Sequence, residues 1–397
     1  MRGMTPGQLP ARPQSIRAMN EILLLGQIHD QVTVSRADLA RMCRLSKPTV
    51  SLALSNLERA KLIRPSGVRT GLPGPAAVLY ELLPEAGFVM ALDVGRQYLR
   101  GAVSDFSGAV RARTSVRVRV KGAHALVGEL IALSESLRAT AGLDTRQISQ
   151  TVIGSPGVHD QRRDVLALAG TLTGWDAPVM NELRHVFGPS LMFFNDVDAA
   201  ALAEQEHGHG RGVDSFGFVS VGTGIGMGLV LDGKLHRGNH GAAGEIGYLP
   251  LEHERSSDAR DARKRGSLEA AASAAGIVRS ARRAGMGGPI SARRVFDAAA
   301  KGDPRAAQVV AEEAVLVAKA ICAVVTVVDP GLIVLGGGVG RAAGFVDVVR
   351  SQLARIAPVQ PELKASALGD DAVVDGCLAA GTDRVWQVVN KGLSDPT

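Results

Sequence analysis

Phe216-Gly-Phe-Val-Ser-Val-Gly-Thr-Gly-Ile-Gly-Met-Gly-Leu-Val-Leu-Asp-Gly-Lys-Leu235 is a strand, a glycine turn, a second strand and another glycine-containing turn. The same order occurs earlier, in Phe88-Val-Met-Ala-Leu-Asp-Val-Gly-Arg-Gln-Tyr-Leu-Arg-Gly-Ala-Val-Ser-Asp-Phe-Ser-Gly108. Each copy opens an α/β stretch. After the first come a strand at Ala109 to Val120, a helix at Ala123 to Ala141, a strand at Thr151 to Gly154 and another at Leu191 to Phe194. That last strand ends at Asn195-Asp196 and leads into an Ala-rich helix, Val197 to Glu206. After the second copy come helices at Ser267 to Arg282 and Pro304 to Val328, a strand at Leu332 to Leu335 and the turn Gly336-Gly-Gly338. Two hairpin-led α/β units predict a duplicated α/β fold whose halves enclose a cleft, the usual place for a ligand.

Ahead of this unit stands Val34-Ser-Arg-Ala-Asp-Leu-Ala-Arg-Met-Cys-Arg-Leu-Ser-Lys-Pro-Thr-Val-Ser-Leu-Ala-Leu-Ser-Asn-Leu57. Ile22, Leu23, Leu25 and Ile28 have helical spacing and place one helix over Ile16 to His29. Ser35 is a good N-cap for a second helix, Arg36 to Met42. Ser46 caps a third, in which Pro48 is tolerated because a first-turn N–H is unpaired anyway. Val50, Leu54 and Leu57 form its buried stripe. Lys47, Thr49, Ser51, Ser55 and Asn56 then lie on other faces, where side chains near the start of a reading helix reach base edges and phosphates. Leu62 to Arg64 and Ala77 to Leu82 read as strands flanking a loop, Pro65 to Pro75, that carries Arg69. This is a winged helix-turn-helix. Its candidate DNA contacts are Arg36, Ser46, Lys47, Thr49, Ser51, Ser55 and Arg69. A helical dimerisation or docking module of similar size is the alternative.

Charge favours DNA. Residues 1–85 hold 11 Lys/Arg against 6 Asp/Glu, which is +5 of the chain's net +6. Cys43, Cys322 and Cys377 are odd in number and far apart, so neither a disulfide framework nor a cysteine metal site is expected. Four of the nine histidines, His207, His209, His236 and His240, sit among glycines without helical spacing and also suggest no metal. No apolar signal core opens the chain, and charges and Pro330 break the apolar stretch Ala311 to Val339. A cytoplasmic protein without membrane contact is expected. The expected organisation is a disordered tail at 1–15, the winged domain at 16–83, a linker at 84–87 and a two-lobed domain at 88–397. Its lobes are placed at about 88–200 and 215–390.

Three runs in order resemble ROK proteins, a family of repressors, uncharacterised reading frames and sugar kinases. They are Asn195-Asp-Val-Asp-Ala-Ala-Ala-Leu-Ala-Glu204, Val219-Ser-Val-Gly-Thr-Gly-Ile-Gly226 and Gly241-Ala-Ala-Gly-Glu-Ile-Gly247. The resemblance covers essentially the whole chain and matches the repressor branch in its first eighty-odd residues. It implies the actin/hexokinase-like (RNase H-like) duplicated fold. It also implies a sugar site of Gly157, Asn195, Asp196, Glu245, Tyr248 and Glu269. Nucleotide contacts would come from Asp93, Gly95, Gly222, Thr223, Gly224 and Gly337, and Asp196 would be the catalytic base if kinase activity is retained.

Two departures from the family pattern are visible. The kinases read Asp-x-Gly-Gly-Thr where this chain reads Asp93-Val-Gly-Arg96-Gln97, so an arginine side chain stands where phosphates would lie. The family's Glu-x-Gly-His and cysteine cluster become Glu245-Ile-Gly-Tyr248 and a cysteine-free stretch from Glu252 to Gly266, so no zinc and no other cofactor is expected. The resemblance thus implies a repressor of operator DNA, its expected partners being a pseudo-palindromic site, a sugar or sugar-derivative effector and further copies of the chain in a homodimer or homotetramer. An active ATP-dependent sugar kinase with an added DNA-binding domain is the runner-up, and a protein-binding hub the third class.

Overall fold

The structure, a computed structural model, describes residues 13–70, 76–120, 122–160, 163–167, 174–250 and 266–395. Most of the expected tail (1–12), the wing tip (71–75) and the stretch 251–265 lie outside the described residues.

Helix α1 (Pro13–Gln31) leads through β1 (Val34–Ser35) to α2 (Arg36–Met42) and α3 (Lys47–Arg59). Strands β2 (Ile63–Arg69) and β3 (Ala77–Leu82) close a three-stranded sheet ordered β1-β3-β2. Both expected caps are present. Ser35 Oγ accepts from the Asp38 N–H at 3.3 Å, and Ser46 Oγ from the Thr49 N–H at 3.3 Å. Val50, Ala53, Leu54 and Leu57 bury against Leu24, Leu25, Ile28 and Leu39. In α1 the inward stripe uses Leu24, and Leu23 faces solvent at 43% exposure.

The expected loop at Pro65 to Pro75 is corrected in its first half. Strand β2 continues to Arg69, pairing Arg69 with Ala77. Because β2 is an edge strand, Pro65 withholds no ladder hydrogen bond that a central strand would need, and the register shift between Pro65 and Gly67 absorbs one residue. The linker is a 3₁₀ turn, Pro84–Ala86, tied on both sides. The Leu83 N–H donates to the Leu62 carbonyl at 2.9 Å, and the Phe106 N–H to the Pro84 carbonyl at 3.1 Å.

The first lobe runs β4 (Phe88–Val94), β5 (Tyr98–Asp105), β6 (Val110–Arg117), α4 (Ala123–Ala141), β7 (Ile148–Ser155), β8 (Val158–Asp160), β9 (Val165–Ala167), α5 (Ala177–Phe187) and β10 (Met192–Asn195). Its sheet is ordered β10-β7-β4-β5-β6, an antiparallel meander with β7 and β10 parallel to β4. Helix α6 (Asp196–His207) crosses to the second lobe. There β11 (Phe216–Val221), β12 (Ile225–Leu231) and β13 (Lys234–Leu235) precede α7 (Ser267–Ala272), α8 (Ala274–Arg283), α9 (Ala292–Ala300) and α10 (Pro304–Val328). Next come β14 (Leu332–Gly336), α11 (Gly337–Gly340), α12 (Phe345–Leu353) and β15 (Glu362–Ala365). The sheet order is β13-β12-β11-β14-β15, with β14 and β15 parallel to β11, so the two lobes repeat one plan.

Two readings need correction. The helix expected over Ser267 to Arg282 is two helices. Ser273 ends the first and caps the second, accepting from the Gly276 N–H at 3.4 Å. The second lobe does not run to residue 390, because α13 (Ala372–Ser394) returns to pack on α6, β4 and β7 of the first lobe. Small residues allow this. A Cβ on Gly376 would meet the Ala199 carbonyl oxygen at 1.7 Å, and one on Gly381 would meet Val89 Cγ1 at 2.3 Å.

Helix α13 also touches α1. Trp386 stacks on Phe106 of the first lobe, with ring centroids 5.0 Å apart. Two crossings, α6 and the segment between β15 and α13, thus join the lobes, and α6 packs on the helix that touches the winged head.

Candidate functional site

The strand ends of β7, β10 and β11 and the loop after β13 converge on a cleft between the lobes. A cavity of about 200 Å³ there is lined by Gly157, Asn195, Asp196, Glu245, Tyr248 and Glu269, so the expected sugar residues come together in one place. Gly95, Thr223 and Gly224 line it too, with Arg96 exposed at its edge.

Asn195 has a positioning role. Its Oδ1 caps α6, accepting from the N–H groups of Val197 at 2.9 Å and Asp198 at 3.1 Å, and its Nδ2 donates to the Gly157 carbonyl at 3.1 Å. Gly157, at φ 97°, makes the turn that brings its carbonyl there. Glu269, in the first turn of α7, accepts from the Ile225 N–H at 3.4 Å. A Cβ on Gly224 would stand 2.8 Å from Glu269 Oε2, so glycine is what lets this carboxylate approach the turn.

Asp198 was missed from sequence alone. It lies in the first turn of α6, lines the same cavity and is 3% exposed. The available signal was the second acidic residue of Asn195-Asp-Val-Asp198. Arg237 Nε lies 3.8 Å from its Oδ2, and the Arg237 guanidinium rests over the Phe194 ring.

Burial raises the carboxyl pKa values. Asp196 is pushed to about 6. Burial and repulsion from Asp196 and Glu269 lift Glu245 to about 7. Asp198 also rises to about 7 through burial, opposed by Arg237 and assisted by Glu245 and Asp196. Beneath the floor, burial and the Asp196 charge raise Asp93 to about 7, against the pull of Arg100. Asp93 does not line the cavity; its Oδ2 pairs with Arg100 Nη1 at 3.4 Å.

A second cavity, about 150 Å³, lies on the other side of Asp196, which lines both. Gly337, Gly338 and Arg341 line it from the second lobe. Gly222 and Gly338 face one another, a Cβ on Gly222 standing 3.7 Å from the Gly338 N. Asp370, in the crossing segment, accepts from Arg341 Nη2 at 2.9 Å and from Arg100 Nη2 at 3.4 Å. This chain of charges ties the first lobe, the crossing segment and the second lobe together beside the second cavity.

Trp175 is buried in the first-lobe core and lines neither cavity. Among the described residues, no three His, Cys, Asp or Glu side chains are grouped to hold a metal. The stretch from Glu252 to Arg265, including His253, lies outside them.

In the winged head, Arg36, Ser46, Lys47 and Ser55 are exposed, and Thr49 and Ser51 are partly so. Thr49 Oγ1 shares a 2.8 Å hydrogen bond with Ser46, and Ser51 donates to the Lys47 carbonyl at 2.9 Å. Asn56 points inward and donates to Glu21 of α1 at 2.5 Å. Leu52 is 55% exposed on the same outer face as Ser51 and Ser55, a residue the apolar pattern did not single out. Arg69 is drawn onto α2, its Nη2 lying 2.6 Å from Asp38 Oδ2 and 3.3 Å from Ser35 Oγ.

The duplicated lobes and the cleft define a sugar-kinase-like scaffold carrying a winged head. Residues 89–382 match the ROK family, and the chain belongs to it. The chain is 24% identical over 385 residues to a xylose repressor of Caldicellulosiruptor bescii, covering 92% of this chain and 95% of that one. It is 38% identical over 202 residues to the bifunctional enzyme NanE/NanK of Brucella suis, covering 51% of this chain and 36% of that one. A crystal structure of a ROK family transcriptional regulator, a homologue of E. coli MLC protein, superposes with a TM-score of 0.75. It is 24% identical and covers 96% of this chain and 98% of its own, which extends the shared fold over the winged head. Among the described residues, no helix is long and apolar enough to cross a membrane.

Proposed function

We propose that this protein is a transcriptional repressor whose operator binding responds to a sugar or sugar derivative in the interlobe cleft. One observation carries the reading. The α6 N-terminus forms the cleft floor, α6 packs along α13, and α13 touches α1 of the winged head. A ligand that favours one lobe arrangement would move α6 and α13 and so shift the population of head orientations. The proposed division is a winged head at 13–83, a hydrogen-bonded turn at 84–87 and the two lobes beyond, with α13 belonging to the first.

Sugar contact is assigned to Asp196, Glu245, Tyr248 and Glu269, with Asn195 and Gly157 shaping the floor. DNA contact is assigned to Arg36, Ser46, Lys47, Thr49, Ser51 and Ser55, with Arg69 holding the wing. The chain would act as a dimer or a higher even assembly on a pseudo-palindromic operator.

The kinase reading rests on Asp196, placed between the two cavities as a base would be. The Arg100–Asp370–Arg341 chain and Arg96 oppose it. The test is to select operator fragments from random DNA, screen sugars for release of the bound fragment, and look for sugar phosphate in the presence of ATP and magnesium. Release without turnover supports the sensor; turnover supports the kinase.

A further inference from the structure

The cleft holds more negative charge than a neutral sugar requires. Asp196, Asp198, Glu245 and Glu269 all line the one cavity. Among the described residues, only Arg237 pairs with any of the first three, through Asp198 at 3.8 Å. That distance is too long for a hydrogen bond. The Asp198 side chain is 4% exposed, and its oxygens accept no hydrogen bond from the described residues. Arg237 Nε likewise has no hydrogen-bond partner. A buried carboxylate left in this condition is costly unless a donor arrives. At the rim Tyr248 brings a hydroxyl, and the cation there, Arg96, is exposed to solvent and forms no ion pair with these carboxylates among the described residues.

Building on the sugar-sensing reading, we propose that the effector is an amino sugar bearing a free ammonium group, with Asp198 as the residue that selects it. The ammonium would sit among Asp198, Glu245 and Asp196, donating its three N–H bonds to carboxylates that have few other donors. Neutral hydroxyls can satisfy carboxylates too, but they leave the mutual repulsion of these groups in place. An N-acetylated sugar, whose nitrogen is an uncharged amide, would gain nothing from Asp198. A sugar phosphate would add negative charge to a site already rich in it.

Among the described residues, the charged and titratable groups lining the site are Asp196, Asp198, Glu245, Glu269, Tyr248 and, exposed at its edge, Arg96, with Arg237 beside Asp198. Burial, assisted by repulsion among the carboxyls, keeps part of the set protonated near neutral pH, and a bound cation would drive those protons off. Cation binding therefore releases protons to the buffer.

The experiment is isothermal titration of the full chain at pH 6.5 in two buffers of different ionisation enthalpy. The probes are neutral aldoses (glucose, mannose, galactose, xylose), the 2-amino-2-deoxy forms of the three hexoses, their N-acetyl forms and their 6-phosphates. The expected result is that one amino sugar binds about ten- to a hundredfold tighter than its neutral and N-acetyl counterparts, with proton release seen as a buffer-dependent heat. Asp198→Asn should shrink that preference to a few-fold. If this variant does not fold, the affinity order and proton release of the wild type still decide. A neutral, N-acetylated or phosphorylated sugar binding as tightly as the amino sugar overturns the amino-sugar inference and leaves the sugar sensor standing. Failure of every sugar to bind overturns both.

Discussion

His29, in the last turn of α1, meets the indole of Trp386 edge to face, with ring centroids 5.2 Å apart. The same indole lies on Phe106 at an interplanar angle of 13°. One side chain of α13 thus touches both the winged head and the first lobe. Since α13 also packs on α6, whose N-terminus holds Asp196 in the cleft, the path from the cleft to the winged head is short and made of close helix contacts.

Trp386→Ala should break that path at the head. The substitution removes a large, mostly buried ring and should cost about 3–5 kcal/mol of stability. Sugar affinity should persist, while the change in DNA affinity on adding sugar should fall several-fold. Fluorescence anisotropy of labelled operator with and without sugar measures this, and Trp386→Phe controls for lost packing. An alanine variant that folds and still responds fully would place the relay elsewhere.

The reading helix makes a separate prediction. Alanine at Lys47, Thr49 and Ser51 together should abolish operator selectivity and spare sugar binding, because each base contact contributes about 1–3 kcal/mol of discrimination. Competition between operator and random DNA reads the ratio directly.

Arg69 offers a sharper comparison. Its guanidinium is bound to Asp38, so Arg69→Ala and Asp38→Asn should both loosen the wing and weaken binding to all sequences. If Arg69 also contacts a phosphate, only its own loss lowers the salt slope, by about one. Equal slopes in the two variants would confine Arg69 to holding the wing.

Stability should depend on pH through the cleft carboxyls. Asp93, Asp198 and Glu245 all have folded-state pKa values near 7, above the ordinary carboxyl range. The folded chain therefore holds more protons than the unfolded chain between roughly pH 4 and 7, and stability falls as pH rises across that window. The unliganded protein should lose melting temperature from pH 5 to 8, and Glu245→Gln should flatten the decline. A melting temperature that climbs with pH in this range would contradict the assigned burial.

Asp196→Asn should act on sugar affinity. A lost charge-assisted hydrogen bond contributes roughly 1.5–3 kcal/mol, or about one to two orders of magnitude in affinity. The variant should stay on operator at sugar concentrations that release the wild type. Sugar phosphate formed by the wild type but not by Asp196→Asn would establish the kinase instead.

The paired hairpin-led units were legible because Phe88 to Gly108 and Phe216 to Leu235 repeat glycine and apolar positions that only a strand-turn-strand unit explains. The caps Ser35 and Ser46 were legible because capping is a local interaction. What escaped notice depends on distant partners. Helix α13 has small residues at Gly376 and Gly381 because α6 and β4 press against them, and nothing nearby in sequence announces those neighbours. Arg69 reads as a free wing cation until folding brings Asp38, 31 positions away, to its guanidinium. Asp198 reads as an ordinary first-turn helix acid, and only the cavity and Arg237 give it a role.

In the proposed repressor one chain couples sugar in the cleft to DNA at the head. Linkage requires that coupling to be reciprocal, so the direct measurement is the sugar dissociation constant of the wild type, free and saturated with operator, at one salt concentration. Operator should weaken sugar binding by the same factor by which sugar weakens operator binding, about 5- to 150-fold for an ordinary allosteric coupling. Sugar binding that is unchanged by saturating operator would contradict it.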